Sequence, residues 1–537
     1  MPSRRLTEFT ISAFILAMAC GGGPGHAPVV VIPPAIRLST RALLFVGVSG
    51  GANPVVQPVV VSNSGGGALA MPTIDTKYST LGGWLAVNVT GSTAPYTISL
   101  QPTSSLPSGT YLATVHVASA GALGLPSSIQ VTYAVCSAGP CVGWPNAASS
   151  ANGDAWLVQF HDFVAALHPR VLVLLANNAD TPVHVQQFAS SVVAMFAEGS
   201  RYHGYHEISA PAQLNYEIVK LVDMRDAAPT AWPADWPIMG NAANGGTLSF
   251  VYEGLFKQTF AAHFGYSDPA DSTRFLTLCE LFERGIINEL WVAAPRYKGN
   301  ALGVSESVAR VMQYDANMNP TGTFNSCAGN GCYDPGVAGS CKASVRLMEL
   351  ATDRGAGCAS HATGHGMEGL RRAIPYYASV SARFFGFNLI ARYGLPMDSL
   401  YDTCNYGSPA CWAYPTDHTL AKASAGGASV APFSFDSWGD GCGNVHFPPN
   451  ATGQFDYSSP TPVLSTCEDY GGRHGVGGKD ARAEYVANLS QVYASTQDDD
   501  CGGRWLIYMR QSVPGYGNQA TGDDGAPMKN WWPFLFY

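Results

Sequence analysis

The residues with the strongest chemical content lie in Cys358-Ala-Ser-His361-Ala-Thr-Gly-His365-Gly-Met-Glu368. If this run is helical, each residue turns by about 100°, so His361, His365 and Glu368 point at about 0°, 40° and −20° and share one face, bordered by Cys358 at about 60°. Two imidazoles four residues apart beside a carboxylate suit zinc or another first-row divalent metal, which would polarise a bound group and acidify a bound water. The spacing is close to the His-Glu-x-x-His zinc helix, but Ala362 stands where that motif has its general-base Glu. A metalloprotease assignment therefore fails on its key residue. The competing reading makes Gly364 and Gly366 close-packing positions and the histidines core residues satisfied by hydrogen bonds.

Two further positions bear on catalysis. His446, in Gly443-Asn-Val-His-Phe-Pro-Pro-Asn450, sits in a Gly- and Pro-bounded loop of the kind that completes a site. Glu306 and Ser307 follow a predicted strand ending near Ala294, where the crevice of an α/β sheet would open. The catalytic candidates are thus Glu306, Glu368 and His446, and the metal-ligand candidates are His361, His365 and Glu368. Without a metal, Glu306 and Glu368 would be a carboxylate pair for glycoside cleavage. Gly303-Val-Ser-Glu-Ser307 falls short of a nucleophile elbow, since Ser307 replaces its second Gly. Asp498-Asp-Asp500 reads as a solvated turn. Phosphate-loop and dinucleotide fingerprints are absent from any strand-helix context, so no nucleotide cofactor is expected.

These residues need a scaffold, and the chain after residue 153 offers one. Val171-Leu-Val-Leu-Leu175 reads as a buried strand, 183–198 as a helix, 218–222 as a strand, 273–284 as a helix leading into the strand 286–294, 344–350 as a strand, and 357–374 as a helix. Continuous apolar strands alternating with helices predict an α/β domain with a mainly parallel sheet covered on both faces. From Ile36 to Val135 the pattern differs: short β-rich runs such as Tyr96-Thr-Ile-Ser-Leu100 are punctuated by Gly, Pro, Ser and Asn. About seven short strands in about 100 residues predict an antiparallel, immunoglobulin-like β-sandwich. The fold class is thus multidomain, and the Gly-, Pro- and Ser-rich stretch 136–153 reads as the linker.

The first 19 residues have the layout of a signal peptide, Arg4-Arg5 followed by an apolar run and Ala17-Met-Ala-Cys20. Small residues before Cys20 predict a lipidated cysteine as the first mature residue, and residues 20–35 then form a Gly-rich tether of roughly 20 Å on random-coil scaling. The alternative is a free secreted protein. Any membrane contact would come from the lipid alone. Of the thirteen cysteines, the twelve after Cys20 are read as disulfides of an exported protein, with local pairs Cys136 and Cys141, Cys327 and Cys332, and Cys404 and Cys411, while the pairing among Cys279, Cys341, Cys358, Cys442, Cys467 and Cys501 stays open. Cys358 is expected to be a disulfide partner, with Cys341 as one candidate for it. With 12% charged residues and a net charge of −9 the chain lacks the basic field that nucleic acid requires.

Residues 36–135 resemble the BACON family of immunoglobulin-like modules. The resemblance rests on Ser62-Asn63-Ser64-Gly65, Trp84-Leu85, Leu106-Pro-Ser-Gly-Thr-Tyr111 and Val131-Thr-Tyr-Ala-Val135. It implies a module placed before a catalytic domain, with a glycan-associated or spacer role; Trp84, in an apolar strand, reads as core. Residues 154–537 resemble an uncharacterised family of secreted bacterial proteins through Ile287-Asn-Glu-Leu-Trp-Val292, Glu306-Ser307, Asp353-Arg-Gly-Ala-Gly357, Gly364-His365, Glu368, the His446 loop and Trp531-Trp532-Pro533. That family's pattern carries an acidic residue at the place of His361, an exchange compatible with metal ligation. The expected function is a cell-surface hydrolase of an extracellular polymer such as glycan or peptide; the alternative is a non-catalytic glycan-binding or adhesion protein.

Overall fold

The computed structural model describes residues 33–537, apart from 80, 124–125, 138–140, 178, 226–237, 241–247, 294–301, 304–306, 333–340, 387–411, 418, 423–433, 437–440 and 487–498. Cys20, Glu306, Cys404 and Cys411 therefore lie outside the described residues.

The N-terminal unit has eight strands, β1 (Ile36–Leu38), β2 (Ala42–Val48), β3 (Gln57–Asn63), β4 (Thr73–Tyr78), β5 (Leu85–Thr90), β6 (Tyr96–Pro102), β7 (Gly109–Ala118) and β8 (Ser127–Cys136). They form two four-stranded sheets, β1-β3-β6-β5 and β2-β8-β7-β4. Alternation decides which face is covered: β6 buries Tyr96, Ile98 and Leu100, and β7 buries Ala113, Val115 and Val117. These side chains meet Trp84 and Tyr133 in one core. Trp84 is 2% exposed, its ring 5.7 Å from those of Tyr78 and Tyr133.

Every residue of that core lies between Leu38 and Val135. The excised fragment 33–136 is therefore expected to give a β-type circular dichroism spectrum and a cooperative melt. A disordered fragment would show that its stability is borrowed from the rest of the chain.

The larger unit is built on a six-stranded sheet of β9 (Arg170–Leu175), β10 (Glu217–Asp223), β11 (Glu289–Ala293), β12 (Ser307–Tyr314), β13 (Pro320–Asn325) and β14 (Val345–Leu350), in the order β10-β9-β11-β14-β12-β13. The first four in that order run parallel; β12 and β13 close one edge as an antiparallel hairpin. The unbroken apolar run of β9 has a direct cause. Val171, Val173 and Leu175 face one core and Leu172 and Leu174 the other, so both sides of the strand are covered.

Helix α1 (Pro182–Gly199) starts at Thr181, whose Oγ1 accepts the His184 N–H at 3.2 Å, with Pro182 in the first turn. The expected helix over 273–284 is shorter than its pattern. Asp271–Phe275 is a strand, and α2 (Leu278–Glu283) begins only after Thr277. A capping box sets that start, the Thr277 hydroxyl accepting from the Glu280 N–H at 3.3 Å and Glu280 Oε2 accepting from the Thr277 N–H at 2.8 Å. Helix α3 (Gly357–Gly369) also stops earlier than expected, and Pro375 opens α4 (Pro375–Phe384). With α5 (Gly503–Gln511), α1 and α3 cover one face of the sheet, and α2 covers the other.

The 136–153 stretch is built into the larger unit. Gly143–Trp144 pairs with Ala166–Leu167, the Trp144 ring is fully buried 5.1 Å from that of Phe536, and Asn152 donates to the Asn288 carbonyl at 2.8 Å. Leu44 and Ala134 of the N-terminal unit join the same core as Trp144 and Trp156, and Trp156 Nε1 donates to Thr132 Oγ1 at 3.2 Å.

The described residues hold five disulfides. Two are the local pairs expected from spacing, Cys136–Cys141 and Cys327–Cys332. The others are Cys279–Cys341, Cys358–Cys501 and Cys442–Cys467. The candidate pairing of Cys358 with Cys341 does not form, because Cys341 joins Cys279 in the core on the α2 face while α3 packs on the opposite face. Among the described residues no helix is long and apolar enough to cross a membrane.

A buried histidine couples this fold to pH. His161 lies between the Tyr537 hydroxyl, 2.7 Å from Nδ1, and the Asn530 carbonyl, 2.5 Å from Nε2, contacts that suit a neutral imidazole. Burial pulls its pKa from 6.5 down to about 4. The unfolded chain thus binds this proton at higher pH than the native one, so the contribution is complete above the unfolded value and is lost as pH falls from 6.5 towards about 4. That shift predicts a loss of roughly 3 kcal/mol from this residue. Urea melts across that range should record it, and His161→Gln should flatten this part of the profile.

Candidate functional site

Helix α3 lacks a side-chain N-cap of its own. Its start is fixed by the 499–501 segment instead, where Asp500 Oδ1 accepts the Gly357 N–H at 2.9 Å and Cys501 bonds to Cys358. Asp500 is thus part of the scaffold beneath the site, where the sequence suggested a solvated turn. Every residue of α3 except His365 is buried, although the helix carries two histidines, a glutamate, a serine and a threonine. Polar groups at that depth carry a desolvation cost that hydrogen bonds or a ligand must offset.

His361 and His365 project from the same side of α3, their ring centroids 4.8 Å apart. The third member of the group is His446, whose ring lies 5.0 Å from each of theirs, stacked on His361 and edge-on to His365. One ring nitrogen from each of the three falls within 4.8 Å of the other two. Glu368, expected beside the two α3 histidines as a ligand, is used differently. Its Oε1 accepts the Val445 N–H at 3.0 Å, and its Oε2 stands 3.5 Å from His365 Nδ1. Glu368 does lie one turn along from His365 and within reach of it, but the loop backbone claims the carboxylate.

The loop bearing His446 approaches α3 closely because Gly364 lacks a side chain. A Cβ at that position would stand 2.2 Å from Val445 Cγ1. Asn444 Oδ1 accepts the His446 and Phe447 N–H groups at 3.0 and 3.2 Å and folds the loop into a tight turn. Phe455, held at φ 63°, donates its N–H to the His446 carbonyl at 2.9 Å and lays its ring 4.4 Å from the imidazole. A non-glycine residue in that conformation carries strain of the kind that clusters at ligand clamps. The Tyr457 hydroxyl donates to the Val445 carbonyl at 2.9 Å and lies 3.2 Å from His361 Nδ1.

These outer contacts bear on tautomers. A proton on Nδ1 of His361 is directed at Tyr457, and one on Nδ1 of His365 at Glu368, so Nε2 becomes the basic nitrogen of each ring. Carboxylate and hydroxyl partners of this kind orient metal-binding imidazoles and raise their basicity. His365 and His446 are partly exposed while His361 is 4% exposed, so the group opens towards solvent from a buried floor. Three nitrogens arranged this way leave room on a four-coordinate metal for water or substrate.

The remaining candidates lie elsewhere or beyond description. Ser307 opens β12, is buried, and accepts no role beside the histidines; its Oγ lies 3.3 Å from where a Cβ on Gly366 would stand, on the sheet side of α3. Glu306 falls outside the described residues. Tyr457 and Phe455 carried no signal in the sequence, since Gln454-Phe-Asp-Tyr457 has neither a motif nor a period.

No protein-family model matches the chain, and no curated protein does. Among solved structures, an endo-fucoidan hydrolase of glycoside hydrolase family 107 is similar at 12% identity over 20% of this chain and 14% of that one, with a TM-score of 0.14. A family 5 xyloglucanase from Bacteroides ovatus is similar at 12% identity over 49% of this chain and 46% of that one, also at 0.14. Domains 4 and 5 of the S-layer protein SbsC follow at 13% identity over 19% and 52%, at 0.13. The chain spans 14% to 52% of the length of these three, and at such TM-scores the likeness bears on neither fold nor function.

Proposed function

We propose that the larger unit is a metal-dependent hydrolase of an extracellular polymer, glycan or peptide, with His361, His365 and His446 as ligands of zinc or another divalent cation. The observation that carries this reading is the approach of three imidazole nitrogens to within 4.8 Å, from a helix and a loop. The metal would supply Lewis acidity and a water of lowered pKa. The chain's own residues would do the positioning: Glu368 and Tyr457 fix the imidazoles, and Phe455 shields one side of the group. Glu368 is a positioning residue in this scheme, because its carboxylate already serves the Val445 N–H and His365. That engagement disfavours a carboxylate-pair mechanism with Glu306.

Residues 36–135, with two facing four-stranded sheets, are read as a BACON-type immunoglobulin-like sandwich acting as a spacer, and residues 154–537 as the α/β catalytic domain. The five disulfides support export, and Cys20 is the proposed lipid anchor.

Elemental analysis of protein purified at neutral pH without a metal-affinity tag is the direct test. The expected result is close to one zinc per chain, released by a chelator or by acidification, because ligation needs unprotonated imidazoles. In a screen of polysaccharides and peptides, hydrolysis should disappear with the metal and return on its readdition. Hydrolysis that survives complete metal removal would overturn the reading.

A further inference from the structure

The structure assigns, we infer, a second binding site to the larger unit: a pocket for a neutral saccharide between α4 and the 516–530 segment. The open cleft there has a volume of about 430 Å³ and shares no lining residue with the histidine group. Its size falls within the range of small-ligand sites.

The chemistry of the walls selects the ligand. Tyr376 and Tyr516 line the cavity together with Asp162, Lys529, Asn518 and Asn530. Aromatic residues beside paired donors and acceptors suit the C–H faces and hydroxyl rim of a pyranose. Asp162 Oδ2 and Lys529 Nζ stand 2.6 Å apart, so the wall presents an acceptor and a donor with no net charge. A charged ligand gains little from such a pair, and a purely apolar one would strip water from it without replacing the lost hydrogen bonds. The Tyr376 hydroxyl accepts the Lys529 N–H at 2.9 Å, which leaves its own proton to donate.

The two asparagines have other work. Asn518 bonds to the Gly515 carbonyl and the Ala520 N–H, and Asn530 to the Val164 carbonyl and the Trp532 N–H. They hold the wall in shape, and recognition falls to the tyrosines, Asp162 and Lys529. Part of the wall is also fixed before any ligand arrives. The Tyr376 ring packs 5.8 Å from that of Phe534, and the Tyr516 N–H is held by Gln213 Oε1 at 2.7 Å. That placement of Tyr376 and of the backbone at Tyr516 lowers the ordering that binding must impose.

Saturation-transfer NMR on the full chain, stripped of metal by a chelator, tests this independently of the histidine centre. The probes are neutral disaccharides of glucose, galactose, mannose, xylose and N-acetylglucosamine, with galacturonate and cyclohexanol as charged and apolar controls. The expected result is transfer to at least one neutral disaccharide and to neither control. For that sugar, Tyr516→Ala should weaken binding by roughly tenfold or more, and Asp162→Asn should weaken it less, with thermal melts unchanged because both side chains reach the surface. The inference is overturned if no neutral disaccharide shows transfer, if a control binds as well, or if both variants bind like the parent chain.

Discussion

Replacing His446 by alanine is expected to remove tight zinc binding while leaving the fold intact. The residue donates the only nitrogen of the group that comes from outside α3, so its loss leaves two imidazoles on one helix and a position open to water. Loss of an outer hydrogen-bond partner alone costs roughly 10- to 100-fold in metal affinity. Loss of a direct ligand should exceed that, and Glu368→Gln should fall within it. Competition against a chromophoric chelator measures both, with circular dichroism as the check on folding. His361→Ala and His365→Ala should resemble His446→Ala. If all three keep the parent's affinity, the histidines are packing residues and the proposed centre does not exist.

The second large effect is expected from the aromatic segment 531–537. Trp531, Trp532, Phe534, Leu535, Phe536 and Tyr537 are each at most 1% exposed. Trp531 packs 5.2 Å from Tyr377 and 5.5 Å from Phe384, and Phe534 packs 4.4 Å from His161 and 5.5 Å from Tyr377. A buried Phe or Trp replaced by Ala costs about 3–5 kcal/mol, and a folded domain has about 5–15 kcal/mol in all. The double variant Trp531→Ala/Phe534→Ala should therefore lose its near-ultraviolet dichroism and its cooperative urea transition at room temperature. A double variant with an unshifted midpoint would mean that this segment only lies against the core without stabilising it.

Much of the scaffold could be read before the fold was known, and the parts that could not have identifiable causes. Val171–Leu175 was legible because burial on both sides leaves an unbroken apolar run, and α1 because Thr181-Pro182 marks a helix start. The apolar period over 273–284 runs past the true helix start, which Thr277-Leu-Cys-Glu280 marks as a readable capping box. At the site, helix angles alone brought His361, His365 and Glu368 together, since local geometry suffices for residues one turn apart. The substitution of His446 for Glu368 as third member depends on a loop crossing α3 at Gly364, a contact between distant segments that no spacing rule reports. The partner of Cys358 was hidden for the same reason, because sequence cannot say on which side of a sheet each cysteine emerges.

The wall shared by the two units has a mechanical consequence. Leu44 and Ala134 sit in the same packed interior as Trp144 and Trp156, and Gln159 Nε2 donates to the Ala42 carbonyl at 3.3 Å. Swivelling one unit against the other would pull these side chains out of their common interior and into water, so the eight-stranded unit is held as a pedestal and not as a bead on a loose linker. Under the proposed Cys20 anchor, lengthening the segment ahead of it would change how far the histidine group stands from the membrane. It would not change the direction in which that group looks relative to its base.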